Sequence, residues 1–518
     1  MNYADLFRVT LPETALDVAA LLVLIVDLGF LRRATLQTRI MVSVLIGVFG
    51  CGAAVLLMPY QAGGGLTYPG STNLLLSAGG YTAIAQVGIL MLTVLTLFLL
   101  VDSDFTKHVG EFVAVVLMAA TGGLLISAAQ DLLVIFVGLE LLSIGLYILT
   151  AFAKRSGKSA ESALKYYLFG GMSAAFLLFG FSYLYGLTGS TNLHEIMLGF
   201  YGMRVLSAAP LVYVALVMVA AGLGFKVAAV PFHLWAPDTY EGAPAPAAAF
   251  IASVSKVASF ALLIGIGTAA MHTFDYDHGT VHLERVNALF ANETPASWSG
   301  FSGPWSTIIA IIAVASMVFG NLAALAQNSV RRLLAYSAIA HAGYILLAIA
   351  YFSRSNVSAN AILYYILTYG VTTVGAFGAV SVVERMNGSD RMDAFLGLYK
   401  RNRLLGAVLL VLFLSLAGIP PLVGFWAKFN LFAAVLQVNR GLAPFTLVAI
   451  AVAMSAVSLY YYLQVLKRVF VMAPADERPV KGSPLTMGVL ALITVLVVVL
   501  GCLPGLMQGW MASFYAGM

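Results

Sequence analysis

The chain contains a long succession of apolar stretches, and this pattern constrains the fold more than any other feature. A helix needs about 20 apolar residues to cross the hydrocarbon core of a bilayer. We find fourteen such stretches, at 12–31, 40–59, 81–101, 111–128, 131–153, 164–189, 208–240, 246–270, 304–326, 330–352, 358–384, 404–437, 443–466 and 484–508. Charged residues make up only 9% of the 518 positions, against roughly 25% in soluble domains. The sequence therefore predicts an all-α membrane protein with about 14 transmembrane helices, in which residues 1–518 form a single polytopic domain.

The basic residues predict the orientation of these helices. Of the 27 Lys and Arg residues, 19 lie in or next to loops that follow odd-numbered stretches, and four follow even-numbered ones. Because cytoplasmic loops are enriched in Lys and Arg, both termini are expected on the outer face. Residues 1–17 have no basic segment followed by an apolar core and a small-residue cleavage site, so the first stretch is expected to be retained rather than cleaved as a signal peptide.

Two stretches are too long for one straight helix. Residues 208–240 and 404–437 would each span about 50 Å at 1.5 Å per residue, against a hydrocarbon core of about 30 Å. Prolines interrupt both, at Pro231 in the first and at Pro420 and Pro421 in the second. Because proline removes a backbone donor and clashes with the preceding turn, both stretches are predicted to be broken helices.

The positions of the two broken helices predict an internal repeat. They are the seventh and twelfth stretches, so two five-helix units, stretches 4–8 and 9–13, would enter the membrane from opposite sides. This order is typical of inverted repeats in transporters. The predicted organisation is therefore three N-terminal helices in 1–101, a first repeat in 105–270, a second repeat in 304–470 and a last helix in 484–508.

Five ionisable residues lie near the middle of predicted helices: Glu140, Lys226, Lys256, His341 and Lys428. A charged side chain at the centre of a bilayer costs roughly 2.5–3.5 kcal/mol on insertion scales, so such residues persist when they pair or act. Buried lysines change charge readily, and histidine does so near neutral pH. A row of such groups is what a proton relay requires.

Structural roles remain open for several of these residues. Glu140 and Lys226 could form a static ion pair, although pairing alone does not require three buried lysines. His341 could be a packed histidine with satisfied hydrogen bonds. His233, beside the first predicted break, could serve in a relay or in packing.

Sites for metals, cofactors and nucleic acid are not expected on this chain. Cys51 and Cys502 lie far apart in apolar segments and form no zinc or iron–sulfur spacing. No glycine-rich phosphate motif stands between a strand and a helix, and the basic residues lie in short loops rather than on one face. One loop carries a spacing that could bind a metal ion, but a solvated loop is the simpler interpretation; its residues are Asp275, Asp277, His278, His282 and Glu284.

Four stretches of the chain resemble a known family. GFKVAAVPFHLWAPDTYEGAPAPAAAFIASVSKVASF, VGLELLSIGLY, RRLLAYSAIAHAGYILL and LSLAGIPPLVGFWAKF resemble the antiporter-like, proton-conducting membrane subunits of respiratory complex I and of multisubunit cation/proton antiporters. The resemblance runs from about residue 80 to 470. It is strongest to the N type of bacterial complex I subunit, because VPFHLWAPDTYEGAPAP fits that type better than the L and M types. Lys428 also fits, since the M type is expected to carry a glutamate there.

The resemblance implies a role for each matching residue. Glu140 would be the acidic partner of Lys226 in a first half-channel. Lys256 would bridge to a second half-channel with Lys428 at its exit, and His341 matches a polar position on the central axis. The resemblance also implies that NADH, FMN, iron–sulfur clusters and quinone are bound by other subunits of the complex. It implies other membrane subunits as partners, and a location in the bacterial inner membrane.

Four functions therefore compete. The first is a proton-translocating subunit of an NADH:quinone oxidoreductase, which is an enzyme only as part of that complex. The second is a subunit of a cation/proton antiporter or of a membrane-bound hydrogenase. A solute carrier that acts alone is disfavoured because no large polar cluster lies at mid-membrane, and a purely structural anchor is disfavoured by the buried lysines.

Overall fold

The computed structural model describes residues 3–61, 65–67, 74–202, 205–272, 302–352, 357–438, 441–474 and 478–515. This part of the chain is predominantly helical. The helices are α1 (Tyr3–Val9), α2 (Leu11–Ile25), α3 (Leu36–Leu57), α4 (Gly80–Leu99), α5 (Val109–Ala128), α6 (Leu132–Thr150), α7 (Gly157–Thr188), α8 (Leu193–Gly202), α9 (Val205–Lys226), α10 (Trp235–Gly242), α11 (Ala245–His272), α12 (Ser302–Leu325), α13 (Val330–Ala350), α14 (Val357–Asn387), α15 (Arg403–Ala417), α16 (Val423–Val438), α17 (Leu442–Phe470), α18 (Pro484–Cys502) and α19 (Pro504–Ser513).

Eleven helices within the described ranges are long and apolar enough to cross a membrane, judged by length and composition. They coincide with eleven of the fourteen predicted stretches. The other three are the first, seventh and twelfth. The apolar helices of the seventh and twelfth have only 10–17 residues and are Pro210–Lys226, Arg403–Ala417 and Val423–Val438. The first stretch is α2, which has 15 residues and continues into a π-helical turn at Val26–Phe30.

Besides the short helices α1 and Leu398–Arg401, a hairpin and a ten-residue helix lie outside the predicted stretches. A two-stranded antiparallel hairpin, β1 (Gly65–Thr67) and β2 (Leu74–Ser77), follows α3. The ten-residue helix α8 follows α7. Both elements are shorter than a membrane span, so a search for apolar stretches of about 20 residues does not find them.

The most buried helices form the centre of the molecule. In α11 every residue of its most apolar 18-residue window is buried, and the corresponding share is 94% in α13. In α17 it is only 22%, so α17 lies at the periphery with an apolar outer surface. Small residues such as Ala247, Ala248 and Ala249 are fully buried in α11 and allow neighbouring helices to approach closely.

We call α5–α11 (109–272) the first helix group and α12–α17 (302–470) the second, because their helices pack in similar ways. Asp131 caps the N-terminus of α6, and Ser329 caps that of α13. A methyl group at Gly122 would lie 2.5 Å from the backbone nitrogen of Leu142, and one at Gly320 would lie 2.7 Å from that of Ala340. The same tight helix crossing therefore recurs 198 residues later, as the steps from 122 to 320 and from 131 to 329 show.

Candidate functional site: a row of buried cationic residues

Two interruptions of the helices frame the site. In the first helix group α9 ends at Lys226, and α10 begins only at Trp235, so Pro231 lies in the non-helical segment between them. In the second group α15 ends at Ala417 and α16 begins at Val423, with Pro420 and Pro421 between them. These residues interrupt the helices because proline lacks the N–H that a continuous helix would use.

Each interruption leaves helix C-terminal carbonyl groups that need new donors. The indole N–H of Trp235 donates to the carbonyl oxygen of Phe225 at 3.0 Å. The ammonium group of Lys428 donates to the carbonyl oxygen of Ala417 at 2.9 Å. The first interruption is thus capped by a neutral side chain, and the second by a candidate relay residue.

Lys226 is the last residue of α9 and contacts α6. Its Nζ donates a hydrogen bond to the hydroxyl of Ser143 and lies 5.5 Å from the ring centroid of Phe225. Glu140 lies one turn before Ser143 on the same helix. Within the described residues no ion pair of 4.0 Å or less joins Lys226 to Glu140, but the carboxylate is near enough to attract the ammonium electrostatically. The two residues therefore interact electrostatically, while the hydrogen bond of Lys226 is made to the Ser143 hydroxyl.

Lys256 lies at the centre of the molecule, on α11, and is 3% exposed. Its Nζ donates to the carbonyl oxygen of Ala338 on α13. The ammonium also lies 5.6 Å from the ring centroid of Tyr369 on α14, within the range of a cation–π interaction. Lys256 is thus surrounded by α11, α13 and α14, the three most buried helices.

Lys428, five residues after the start of α16, is 6% exposed. Besides the Ala417 carbonyl, it donates to the hydroxyl of Ser455 on α17 at 2.7 Å. Its ammonium lies 5.4 Å from the ring centroid of Tyr344 on α13. No acidic side chain lies within 4.0 Å of Lys428 in the described ranges, so hydroxyl, carbonyl and aromatic groups provide its polar surroundings.

His341 connects the surroundings of these two lysines. It is 4% exposed, and its Nδ1 shares a hydrogen bond of 2.7 Å with the hydroxyl of Tyr365. Its ring lies 4.8 Å from that of Tyr369, which faces Lys256, and 5.8 Å from that of Tyr344, which faces Lys428. The order Lys256, Tyr369, His341, Tyr344, Lys428 is therefore continuous through side-chain contacts.

A small cavity adjoins this row. It is lined by His341, Tyr365, Thr368, Tyr369, Thr372, Ser415, Leu416, Gly424 and Ala427. Its volume is about 10 Å³, which is about the space that one water molecule needs. Most of the lining side chains carry a hydroxyl or an imidazole, so the cavity can accept a hydrogen-bonded water beside His341.

His233 lies apart from the row, in the segment between α9 and α10. It is buried, and its ring packs 4.7 Å from that of Phe319 on α12. Its Nδ1 has no hydrogen-bond partner in the described part of the protein. The nearby backbone N–H of Val230 donates to the hydroxyl of Ser316, also on α12, at 2.9 Å. This segment therefore faces the first helix of the second group.

A cluster of ion pairs holds the short helix α10. Arg332 of α13 bonds to Asp238 at 2.6 Å and to Glu241 at 3.1 Å. Lys158 of α7 also bonds to Glu241 at 3.1 Å. Burial alone would raise the pKa of the Glu241 carboxyl, but the hydrogen bonds and charges of Arg332 and Lys158 outweigh it and lower this pKa below its ordinary value. The cluster thus joins α10 to helices of both groups.

A metal centre has no candidate set of ligands within the described residues. No group of three or more His, Cys, Asp and Glu side chains there could hold a metal ion. Cys51 and Cys502 are both free thiols. The sequence feature with a possible metal-binding spacing, at residues 275–284, lies outside the described residues.

Sequence reasoning missed the hydroxyl and aromatic partners of the row. Ser143 follows Glu140 by three residues, and this spacing places both on one face of α6. Tyr365 and Tyr369 are four residues apart on α14 and face His341 in the same way. These spacings were visible in the sequence, but the helix that each face would contact was not.

Comparison with known proteins places the chain in a family. Residues 129–294 and 285–457 match the family described as NADH:quinone oxidoreductase/Mrp antiporter, TM. Two relatives are the NADH-quinone oxidoreductase subunit N 2 of Acidobacterium capsulatum, 44% identical over 99% of both chains, and the subunit N 1 of Roseiflexus castenholzii, 38% identical over 88% of this chain and 82% of the relative. The chain therefore belongs to the family of antiporter-like membrane subunits that NADH:quinone oxidoreductases and Mrp antiporters share.

Solved structures show the same fold. A chain of respiratory complex I from Thermus thermophilus is 31% identical and superposes with a TM-score of 0.73, over 96% of this chain and 98% of the other. A chain of the Mrp complex from Dietzia has a TM-score of 0.74 over 97% and 96% of the two chains, but at 21% identity this likeness concerns the fold alone.

Proposed function

We propose that this chain is a proton-translocating membrane subunit of an NADH:quinone oxidoreductase, equivalent to the subunits named N. The observation that carries the proposal is the continuous contact order from Lys256 through His341 to Lys428 in the buried centre of the molecule. The relatives named subunit N cover nearly the whole chain. Lys256 and Lys428 are both buried and have no structural need to lie on one path, whereas proton transfer requires such a succession.

In the proposed mechanism Lys226 exchanges protons under the control of Glu140. When Glu140 is ionised, it stabilises the ammonium form of Lys226. When the carboxylate is neutralised or moves away, burial disfavours the ammonium, and Lys226 releases its proton. A proton that crosses 100 mV requires about 2.3 kcal/mol, and a change of two pKa units supplies about 2.7 kcal/mol. A modest change in one buried pair is therefore sufficient for a transfer step.

The remaining transfers follow the contact order described above. Lys256 receives the proton and passes it to His341, whose Nε2 has no hydrogen-bond partner among the described residues, and then to Lys428. On α10 the buried hydroxyls of Thr239 and Tyr240 likewise have no partner there. Hydroxyl groups can donate and accept at once, so these two are the proposed carriers of a proton from Lys226 to Lys256. His233 is a further candidate on the side that faces α12.

The architecture that supports this mechanism is fourteen spans with two inverted five-helix repeats. The matching caps at Asp131 and Ser329 and the matching crossings at Gly122 and Gly320 support this arrangement. In each repeat the interrupted helix would form one half-channel, because unwound backbone at membrane depth exposes groups that bind water or protons. Within this scheme, residues 1–101 and 484–508 would lie outside the repeats.

Redox chemistry is assigned to other subunits in this proposal. NADH, FMN, iron–sulfur clusters and quinone would bind elsewhere in the complex, and this chain would contribute proton translocation alone. Its direct partners would be other membrane subunits and the lipid that covers exposed apolar side chains such as Leu164, Leu168 and Leu492. A subunit of a cation/proton antiporter is the alternative, and purification of the tagged native chain with its partners separates the two.

The decisive experiment measures protons translocated per electron in the assembled complex. We expect Lys226→Ala and Lys256→Ala to lower this ratio, because each removes a group that must hold the proton. Lys256→Arg is expected to lower it as well, since arginine does not release its proton at accessible pH. Assembled variants that pump at the unaltered ratio would refute the relay.

The location proposed is the bacterial inner membrane, with both termini on the periplasmic side. Side-specific labelling tests this in a Cys502→Ser background, because Cys502 is exposed and Cys51 is buried. A cysteine at Arg155 should be labelled from the cytoplasm, and a cysteine at Tyr60 from outside. Labelling of both positions from the same side would contradict the fourteen-span topology.

A further inference from the structure

A buried acidic residue, Glu13, lies in the N-terminal helices, away from the row of lysines. Glu13 is in the first turn of α2 and is 5% exposed, and Gln86 on α4 is 1% exposed. The side-chain N–H of Gln86 donates to Oε1 of Glu13 at 3.4 Å and to the carbonyl oxygen of Leu124 on α5 at 3.4 Å. Glu13 and Gln86 thus join α2, α4 and α5. The pair lies away from the two interrupted helices.

Two acceptor atoms of this pair have no donor in the described part of the protein. They are Oε2 of Glu13 and Oε1 of Gln86. Both N–H groups of the Gln86 amide have an acceptor in this orientation. One acceptor is Oε1 of Glu13, and the other is the carbonyl oxygen of Leu124. The orphaned atoms are therefore the second oxygen of the carboxyl group and the oxygen of the amide to which that group is already bonded.

A single proton satisfies both orphaned atoms. If Glu13 is a neutral carboxylic acid, its O–H at Oε2 can donate to Oε1 of Gln86, while Oε1 of Glu13 continues to accept from the Gln86 N–H. The result is a cyclic acid–amide pair with two parallel hydrogen bonds. An ionised Glu13 would instead leave both buried acceptors without a donor, which is costly.

The charges around the pair favour the same state. Asp17 lies one turn further along α2 and accepts a hydrogen bond of 3.0 Å from Thr121 on α5. It is the acidic neighbour that acts on Glu13 electrostatically, and like charges one turn apart disfavour ionisation of both. The N-terminus of α2 and the backbone N–H of Glu13 favour the anion. Burial is the largest effect, and together with the Asp17 charge it outweighs them.

We propose that Glu13 and Gln86 form a resident proton-binding site, in which neutral Glu13 and the Gln86 amide lock α2 to α4 and α5. The site is separate from the proposed relay and does not depend on it. The proton stays in place, because its loss would remove the hydrogen bond from Glu13 to Gln86 and leave a charge in the protein interior.

Infrared difference spectroscopy of the assembled complex at neutral pH tests this. Subtraction of the Glu13→Gln spectrum from that of the unaltered complex should reveal the carbonyl band of a protonated carboxylic acid. The matched variant Asp17→Asn should retain this band. In Gln86→Leu the band should move to higher frequency, because the acid loses its hydrogen-bonded partner while the carboxyl group itself remains.

The stability of the variants gives a second measure. Glu13→Gln preserves both hydrogen bonds of the neutral pair, so the complex should assemble, melt and pump as the unaltered one does. Glu13→Ala should lower the melting temperature. If the Glu13→Gln substitution removed a carboxylate band rather than an acid band, Glu13 would be ionised or would hold a metal cation. That result would overturn the proposal. So would failed assembly of the Glu13→Gln complex, or a lower proton-to-electron ratio in that complex.

Discussion

The two interrupted helices place their lysines on opposite sides of the interruption. Lys226 is the last residue of α9, before Pro231, whereas Lys428 follows Pro420 and Pro421 in α16. Five residues before Pro231 stands Lys226, and five residues before Pro420 stands Ser415. In the second group a serine therefore stands where the first group carries its lysine, and the lysine stands after the interruption instead.

The surroundings of the two lysines differ accordingly. Lys226 has a carboxylate nearby, Glu140, and bonds to Ser143 on the same helix. Lys428 bonds to a carbonyl at the C-terminus of α15 and to Ser455. A helix C-terminus carries a partial negative charge that stabilises a cation. The first lysine is therefore stabilised by a group that can change its charge, and the second by a dipole that cannot.

The difference between the two groups extends to the helices that face Lys226 and Lys428. With the spacing of 198 residues that relates Gly122 to Gly320, Ser143 corresponds to His341. In the first group the hydroxyl of Ser143 accepts directly from Lys226. In the second group His341 reaches Lys428 only through Tyr344. The titratable residue associated with the lysine is thus Glu140 in the first group and His341, one aromatic ring away, in the second.

Removal of the Glu140 carboxylate should have the largest effect on this comparison. We expect Glu140→Gln to lower coupled proton transport by about tenfold or more, because an interaction of only about 1.4 kcal/mol already corresponds to a factor of ten. Ser455→Ala should have a smaller effect, since Lys428 retains the Ala417 carbonyl. Proton transport in vesicles that contain the assembled complex measures both variants.

Glu161→Gln serves as a control, because it removes a carboxylate from an exposed position on α7. It should leave proton transport unchanged. Equal losses in Glu140→Gln and Ser455→Ala would break the distinction between a switchable partner and a fixed dipole.

The matching helix crossings should respond equally to added volume. We expect Gly122→Ala and Gly320→Ala each to destabilise the protein by about 1–3 kcal/mol, which is the usual cost of overpacking a well-packed interior. In both cases the new methyl group meets backbone atoms, which cannot move aside as a side chain can. Thermal unfolding of the purified complex measures the effect.

A third glycine provides the reference for this experiment. A methyl group at Gly171 on α7 would meet no atom within 4 Å, so Gly171→Ala should be tolerated. If only one of the two buried glycines proved sensitive, the crossings would not be equivalent, and the case for two repeats would weaken.

The smallest effect is expected at the ion pairs of α10. In the second group the corresponding helix, α16, is held by the Trp426 indole, which donates to the carbonyl oxygen of Gly501 at 2.8 Å. Of these two helices, α10 is the one that is held by carboxylate side chains. Because the pKa of Glu241 is lowered in the folded protein, the unfolded chain binds more protons in acid. The contribution of Glu241 is therefore complete above its ordinary pKa of about 4.3 and is lost as the pH falls below it.

Melting temperatures measured from neutral pH into the acid range check this. The unaltered complex should lose stability in acid slightly more steeply than Glu241→Gln, which has no carboxyl group to protonate at this position. A Trp426→Phe variant should be less stable at all pH values without a change in slope. Identical slopes in the unaltered complex and Glu241→Gln would show that these ion pairs contribute nothing measurable.

Membrane insertion of the chain and the approximate bounds of its helices follow from the sequence. Apolar stretches of about 20 residues are stable as helices in the lipid bilayer. Prolines such as Pro231 and Pro420 interrupt a helix through their own covalent structure. The free-energy cost of a charge in the membrane likewise arises from the residue itself. Lys226, Lys256 and Lys428 could therefore be singled out without knowledge of their neighbours.

The partners of those charges were decided by the tertiary structure. Ser143, Tyr369 and Ser455 are ordinary helix residues in the sequence, and the packing of α6, α14 and α17 alone brings them to the lysines. Likewise, a direct Glu140–Lys226 pair is a natural expectation from two opposite charges, whereas in the fold the Ser143 hydroxyl is the hydrogen-bond partner of Lys226. Sequence determines which residues need a partner, because that need arises from desolvation of the residue itself. Helix packing determines which partner each one has, because contacts between residues tens or hundreds of positions apart exist only once the helices have assembled.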